Sequence, residues 1–172
     1  MLEQLRTRRS IRAYTGQKLE PEVVQAFREV LLRSPSSRGI NPWEFIFVEN
    51  RNTLEALAKS KMHGSSFLDK AALGVVICAD TIQSDVWVED CSIAAILLQL
   101  EVHDRGLGSC WIQIRNRMHD NETTSEEYIR KLLCIPQNMG IHSIISIGFP
   151  AEKLAPIPFE DLDQSKIHQN GW

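Results

Sequence analysis

The chain has 172 residues, a net charge of −3, a hydrophobic fraction of 43% and a charged fraction of 24%, which fit a globular domain large enough to bury a core. No apolar run reaches the roughly 18 residues of a membrane-spanning helix, so no membrane association is expected. The slight acidity and the lack of a long basic stripe argue against nucleic acid as the main partner.

The first third of the chain predicts two helices, a strand and a third helix. Residues 2–9 predict a short helix. Apolar side chains recur at three- and four-residue steps over residues 20–32, with Pro21 in the first turn, which predicts an amphipathic helix. Residues 45–48 predict a strand, and a turn after them leads into a helix that ends near residue 60.

The centre of the chain contains the longest predicted helix. Residues 73–79 (LGVVICA) form a continuous apolar run between turn signals and predict a buried strand. The helix that follows covers residues 86–105. Its middle, Ile93–Leu98, is apolar on every side, which predicts either a central helix or one covered by a second subunit.

The last third predicts a strand at 109–114, a helix at 125–133 and a final strand at 142–148. The 22 residues that follow Pro150 contain two prolines and no strong periodicity, so they predict an extended arm. No repeat or linker divides the chain, and we therefore expect one domain over residues 1–172.

The cysteines predict neither a metal site nor disulfides. Cys78, Cys91, Cys110 and Cys134 stand singly, without a C-x-x-C pair or histidines at zinc-ligand spacing. Reduced, structural thiols are the favoured interpretation. The basic N-terminal segment lacks the apolar core of a secretion signal, so a cytoplasmic location is expected.

A first candidate motif lies at residues 8–12, Arg-Arg-Ser-Ile-Arg. Guanidinium groups make paired hydrogen bonds to phosphate or to the carbonyl groups of a planar heterocycle. The alternative is a solvated basic helix end, because arginine also stabilises the C-terminus of a helix. Taken alone, the motif favours that alternative.

A second candidate motif covers residues 34–43 and leads directly into a strand. Its hydroxyl groups and glycine could surround the polar edges of a flat ligand, and Trp43 could form an apolar wall. An ordinary loop anchored by a buried tryptophan explains the same pattern equally well. The candidate ligand-binding residues in this motif are Pro35, Ser36, Ser37, Gly39 and Asn41.

A third candidate motif covers residues 106–113, where two glycines precede a strand that carries Trp111, Ile112 and Gln113. Small residues allow the backbone to approach either a ligand or a packed helix, and packing is the favoured explanation for the motif alone. The pattern is not a dinucleotide-binding fingerprint, because the third glycine is missing and the motif follows a helix.

Together these motifs resemble the FMN-dependent nitroreductase family. The start R-R-S-x-R, the loop P-S-S-x-x-x-x-P-W, the segment from Gly106 to Gln113 and the strand end Gly148-Phe149-Pro150 carry the resemblance. The match extends from Arg8 to Trp172. Segments at 63–68, 84–87 and 109–117 are similar to those of the short branch of that family.

The resemblance implies an α+β, nitroreductase-like fold: a mixed or antiparallel central sheet flanked by helices, in an intertwined homodimer with extended C-terminal arms. Two FMN sites would lie between the subunits. Such a dimer would explain both the apolar Ile93–Leu98 segment and a C-terminal arm that has nothing of its own to pack against.

The resemblance also implies which residues bind the cofactor. The first motif would hold the phosphate, ribityl chain and pyrimidine edge of FMN, the second would line the isoalloxazine ring from the other subunit, and the third would run beside the ring. A basic pair in the tail would close on the phosphate. These cofactor-binding residues would be Arg8, Arg9, Ser10, Arg12, Pro35, Ser36, Ser37, Trp111, Ile112, Gln113, Lys166 and His168.

The chain departs from the family pattern in two places. Gly39 stands where the family loop has asparagine, and Asn41 stands where it has glutamine. The loss of a side-chain hydrogen bond at Gly39 bears on flavin affinity or specificity. The tail carries acidic Glu160, Asp161 and Asp163 where relatives often have a basic residue.

The implied activity is an FMN-dependent reduction of a small acceptor, such as a nitroaromatic compound or a quinone, with NAD(P)H as the electron donor. Turnover would be ping-pong, and no catalytic side chain is assigned because the flavin carries the chemistry. The motifs do not distinguish NADH from NADPH.

Two alternatives to this activity remain open. One is an FMN-binding redox sensor or flavin store with little turnover. The other is the flavin-fragmenting or dehalogenating branch of the family, which usually has a lid insertion that is not seen between Ala79 and Asp90.

Overall fold

The computed structural model describes residues 1–172. Its sheet contains four strands, β1 (Trp43–Val48), β2 (Leu73–Asp80), β3 (Gly108–Gln113) and β4 (Met139–Gly148). They pair antiparallel throughout, in the order β1-β2-β4-β3. The helices are α1 (Leu2–Thr7), α2 (Pro21–Leu32), α3 (Arg51–Leu57), α4 (Trp87–Asp104) and α5 (Ser125–Leu133).

The structure confirms the predicted α+β class, and the sheet is antiparallel rather than mixed. The predicted element bounds differ at a few ends. β1 begins at Trp43 because that residue still pairs with Ala79 of β2, and β4 begins at Met139 opposite Asp80. α3 ends at Leu57, and α1 ends at Thr7. Each strand end is set by its partner strand, which local sequence does not show.

Apolar residues fill both faces of the sheet. Val76 and Cys78 of β2 face one core, while Val75 and Ile77 face the other. α3 and α5 cover the first face, and α2 and α4 cover the second. Every residue of β4 is buried, including the polar His142, Ser143 and Ser146.

α4 covers the sheet with one side and leaves an apolar stripe on the other. Ala94, Ala95 and Leu98 are fully buried, whereas Ile93 and Ile96 are 39% and 37% exposed. Half-buried Leu97 and Leu100 continue the same side of the helix. We call Ile93, Ile96, Leu97 and Leu100 the α4 stripe. No helix is long and apolar enough to cross a membrane.

Gly108 allows the segment after α1 to pack closely on β3. A Cβ at this position would lie 2.8 Å from both Cβ and Cγ2 of Ile11. Real side chains do not pack at such a distance, so any larger residue would push the N-terminal segment away from the sheet. The close approach at Gly108 therefore serves packing within the chain.

The substitution Gly108→Ala should destabilise the fold by about 1–3 kcal/mol, because the new methyl group overpacks against Ile11. The measurement is the free energy of unfolding in urea. Gly171→Ala is the control, since a Cβ at Gly171 would meet nothing within 4 Å. Equal stability of the Gly108→Ala variant and the wild type would contradict the packing role of Gly108.

His142 of β4 is buried beside β3, with only 2% of its surface exposed. Its ring nitrogens lie 3.2 Å from Ser92 Oγ and 3.1 Å from Ser143 Oγ, and the Trp111 ring packs edge-on at 5.0 Å. Burial, with a smaller effect from the charge of Arg115, lowers the pKa of His142 from 6.5 to about 4. The imidazole is therefore neutral in the folded protein at neutral pH.

The free energy of unfolding should fall as the pH falls from 6.5 towards 4. In this range the unfolded chain protonates His142 and the folded chain does not, so up to about 3 kcal/mol of stability is present above pH 6.5 and is lost on acidification. Urea titrations at one protein concentration and several pH values measure this loss. His142→Gln should flatten the slope, whereas the exposed control His63→Gln should keep it. An unchanged slope in His142→Gln would assign the pH dependence to other groups.

Candidate functional site

The first and third motifs meet at the edge of the sheet. The backbone N–H of Ile11 donates to Ser109 O at 2.9 Å, and Ser10 forms a parallel bridge with Ser109. The N-terminal segment thus covers the start of β3. Beyond Ser109, the side of β3 that faces away from β4 has no further strand, and we call it the open edge of β3.

Backbone groups of Trp111 and Gln113 point to the open edge. In an antiparallel pair, alternate residues direct their N–H and C=O groups to opposite sides of the strand. Cys110 O faces β4, where it accepts from Ser146 Oγ at 3.2 Å, and Ser109 O faces away. The register therefore turns the amides of Trp111 and Gln113 outward, as a ligand along the edge would require.

The side chains of β3 divide between the core and the edge region. Trp111 Nε1 donates to Gln113 Oε1 at 3.0 Å, and Gln113 Nε2 donates to Arg115 O at 2.9 Å. These bonds fix the orientation of the Gln113 amide. Ile112 is 1% exposed within the core, so its side chain does not reach the open edge.

Arginine side chains of the first motif surround the beginning of this edge without carboxylate partners. Arg12 Nη1 reaches only Ser10 O at 3.4 Å, and Arg9 Nη1 donates to Ala155 O. No ion pair involves Arg8, Arg9 or Arg12. Such unpaired guanidinium groups are suited to an anionic ligand.

Glu152 is a site residue that the sequence motifs did not indicate. Its Oε1 accepts from the backbone N–H groups of Arg12, at 2.5 Å, and Ala13, at 3.1 Å. The carboxylate therefore fixes the backbone that carries Arg12 rather than its guanidinium. The only signal in the sequence was its place just after the strand end at Pro150.

A cavity of about 410 Å³ lies between the first motif and the strand end, and Arg8, Arg9 and Lys153 contribute positive charge to it. His103, at the C-terminal end of α4, closes one side, with its Nε2 2.8 Å from Thr7 Oγ1. The cavity begins where the open edge of β3 begins.

The second motif is held at the opposite end of α4. Ser37 N donates to buried Asp90 Oδ1 at 2.8 Å. Ser36 Oγ donates to Asn41 Oδ1 at 2.7 Å and accepts from Asn41 N at 2.8 Å, so the Asn41 amide oxygen is used within the loop. Gly39 and Asn41 have φ values of 66° and 53°, a left-handed conformation that glycine and asparagine tolerate best.

One chain does not bring the second motif to the first. Asp90 holds the loop and His103 holds the first motif, and these helical residues are separated by about 20 Å along the α4 axis. The described contacts of the tail residues lie within the tail: Lys166 Nζ lies 4.0 Å from Asp163 Oδ2, and the His168 ring stacks on Trp172 at 4.3 Å. The site assembled by a single chain therefore consists of the first and third motifs.

All four cysteines are free, and three are buried. Burial raises the pKa of the Cys78 thiol to about 12 and also raises the pKa values of Cys91 and Cys110. These thiols are protonated at neutral pH and are poor nucleophiles.

Comparisons with known proteins agree on the family. The nitroreductase family model matches residues 5–87 and 60–149. A protein named putative NADH dehydrogenase/NAD(P)H nitroreductase from Methanothermobacter thermautotrophicus is 33% identical over the whole chain and 87% of the relative. An FMN-dependent nitroreductase from Clostridium difficile superposes with a TM-score of 0.98 at 42% identity, and the match covers both chains completely. A Parabacteroides distasonis structure named putative NADH dehydrogenase/NAD(P)H nitroreductase gives a TM-score of 0.89 at 31% identity, over 99% of this chain and 98% of that one. The chain belongs to the nitroreductase family.

Proposed function

We propose that the protein binds FMN and passes electrons from NAD(P)H to a small acceptor, such as a nitroaromatic compound or a quinone. The names of the similar proteins from Clostridium difficile and Methanothermobacter thermautotrophicus support the cofactor and the donor. The structural observation that carries the proposal is the open edge of β3, which begins beside the unpaired guanidinium groups of the first motif.

The residues of this edge fit the chemical groups of FMN. Arg8 and Arg9 lie at the cavity where a phosphate would be paired, and Arg12 is free to reach a pyrimidine carbonyl. The outward amides of Trp111 and Gln113 offer hydrogen bonds to the polar edge of a flat ring. FMN would supply the hydride and electron transfer, and the protein would bind and orient it.

A homodimer would complete the site. The α4 stripe is apolar and exposed in one chain, and a two-fold axis that packs two α4 helices antiparallel would bury it. The same arrangement brings the N-terminal end of one α4 to the C-terminal end of the other. The loop with Pro35, Ser36 and Ser37 would then lie beside the Arg8 cavity of the second copy. Within one chain, the loop and the cavity are held about 20 Å apart along α4.

The exposed tail would lie on the second copy in this dimer. Phe159, Ile167 and Trp172 are 74%, 76% and 104% exposed in one chain, so the tail has apolar surface to bury. Lys166 and His168 would approach the phosphate only in that assembly. A cytoplasmic location stays a prediction from the sequence.

The donor and the acceptor would use the same exposed face of the ring in turn, which gives ping-pong kinetics. No side chain at the edge has the environment of a general acid or a nucleophile, so we assign none. The alternative, a flavin store or redox sensor, predicts bound FMN that NAD(P)H reduces only slowly.

The visible absorption spectrum of the purified protein, before and after anaerobic NADH or NADPH, tests the proposed function. Flavin bands that bleach with one of the donors would support the oxidoreductase. Bands that persist with both donors would favour the store or sensor. A protein that neither contains nor binds FMN would contradict both interpretations.

The double substitution Arg8→Ala/Arg12→Ala should remove FMN and leave a folded dimer, because it deletes two unpaired cations and no ion pair. Flavin content by absorbance and oligomeric state by size-exclusion chromatography measure the outcome. Arg6→Ala is the control, since Arg6 pairs with Glu3 on the exposed side of α1. Full flavin retention in the double variant would contradict the assigned phosphate and pyrimidine contacts.

The substitution Ile96→Glu should dissociate the dimer and release FMN with it, because the α4 stripe would have to bury a charge. Analytical ultracentrifugation and flavin content report the two effects together. The matched control is Ile82→Glu, in an exposed turn far from the α4 stripe, where Ile82 is 82% exposed. A monomer that keeps its flavin would show that the site is not shared between subunits.

A further inference from the structure

A second cationic cavity includes His119, which belongs to the loop that follows β3. It has a volume of about 510 Å³, and its lining includes Lys59, Lys61, His63, Ser65, Ser66 and His119. Two backbone contacts join its walls: Met62 N donates to Met118 O at 3.2 Å, and Lys59 O lies 2.7 Å from His119 Nδ1. The loop that follows β3 therefore forms part of the wall of this cavity.

The ammonium group of Lys61 has no acceptor in this cavity. Its Nζ lies 3.8 Å from the place of a Cβ on Gly64, and no ion pair involves Lys61 or Arg117. Arg117 Nη1 reaches only the carbonyl oxygen of Asn116, at 3.0 Å. The backbone contact between Met62 and Met118 holds the two cations on adjoining loops.

The carboxylate beside His119 serves other groups. Asp120 Oδ2 lies 3.6 Å from His119 Nε2, and Asp120 Oδ1 accepts from the backbone N–H groups of Glu122 and Thr123. Burial, together with the charge of Arg117, lowers the pKa of Lys61. The two positive charges repel each other, and a bound anion would relieve this repulsion. The cavity is therefore electrostatically suited to a ligand with negative charge.

We propose that Lys61 and Arg117 form a phosphate subsite for the nicotinamide donor. Lys61, the Ser66 hydroxyl and the Gly64 backbone line the cavity, and Arg117 lies on the adjoining loop next to Met118. Together they offer more donors than a single carboxylate can accept, and they match the three oxygens of a phosphate. This inference rests on the proposed function, because it places the donor's phosphate beside the ring-binding edge. The phosphate is either the pyrophosphate shared by NADH and NADPH or the 2′-phosphate of NADPH alone.

The position of the cavity agrees with this assignment. Arg117 follows Gln113, the last residue of β3, after a short turn in which the backbone N–H of Arg117 donates to Ile114 O at 3.0 Å. The two cations therefore adjoin the end of β3, whereas the Arg8 cavity includes Ser109 at its start. A dinucleotide whose nicotinamide stacks on the ring could extend its phosphates towards Lys61, while the cofactor phosphate occupies the Arg8 end.

The test compares Lys61→Gln/Arg117→Gln with a control that has the same change of charge, Lys131→Gln/Arg28→Gln, in which both residues are exposed outside the cavity. Isothermal titration calorimetry on the flavin-loaded dimer measures the Kd values of NADP⁺, NAD⁺ and adenosine 2′,5′-bisphosphate. The cavity variant should lose about tenfold or more in affinity, as expected for lost charge-assisted hydrogen bonds, and the control should lose little.

The ligands identify the source of the phosphate. Losses for NADP⁺ and the bisphosphate but not for NAD⁺ would assign the 2′-phosphate, whereas equal losses for NADP⁺ and NAD⁺ would assign the pyrophosphate. Flavin reduction by 1-methyl-1,4-dihydronicotinamide, which has no phosphate, should keep its wild-type rate in the cavity variant. Unchanged Kd values for both dinucleotides would overturn the proposal.

Two further measurements separate failure of the subsite from failure of the proposed function. Lys61→Arg should keep most of the affinity because it keeps the charge, and a loss as large as that of Lys61→Gln would contradict a charge-based role. The bisphosphate titration needs no flavin. If the wild-type protein bound this ligand through Lys61 but never bound FMN, the proposed function would fail while the phosphate subsite would stand.

Discussion

The contact between the N-terminal segment and β3 is the constraint on which the rest of the site depends. Ile11 donates its amide to Ser109, and Gly108 removes the Cβ that would prevent this approach. The contact occupies the start of an edge strand and leaves the rest of that edge unpaired. A sheet edge with free amides is normally an aggregation hazard. Here, unpaired arginines flank it, and the outward amides are free to bind a ligand.

The length of α4 determines how much of the site one chain can form. The helix has 18 residues, and it holds the first motif near its C-terminal end and the second near its N-terminal end. Within one chain, α4 therefore keeps the first and second motifs at opposite ends. The exposed α4 stripe suggests the physical solution, since the antiparallel association that buries it also brings complementary ends together. Cofactor binding and dimerisation would then be linked, so that each stabilises the other.

Charge is distributed unevenly in a chain that is acidic overall. The net charge is −3, yet cations without carboxylate partners lie at both ends of β3. An unpaired cation lacks the favourable interaction that a nearby carboxylate would provide. Glu29 of α2 provides such an interaction for Arg33. Glu152 also leaves a nearby cation unpaired, because its carboxylate binds backbone amides and not the Arg12 guanidinium. This distribution suits anionic ligands along the strand, with one subsite at each end.

The sequence alone determined the class of the fold, the family and most elements, because these depend on local periodicity and short motifs. α5, for example, begins at Ser125 as predicted, since Thr124 and Glu127 form a capping box within four residues. Only the tertiary structure decided which motifs meet, because that depends on strand register and on the length of α4. It turned the Ile112 side chain into the core, brought in Glu152, and gave Lys166 and His168 contacts with other tail residues. Lys61 shows the reason most clearly: its lack of an acceptor is a property of its surroundings, which no short stretch of sequence contains.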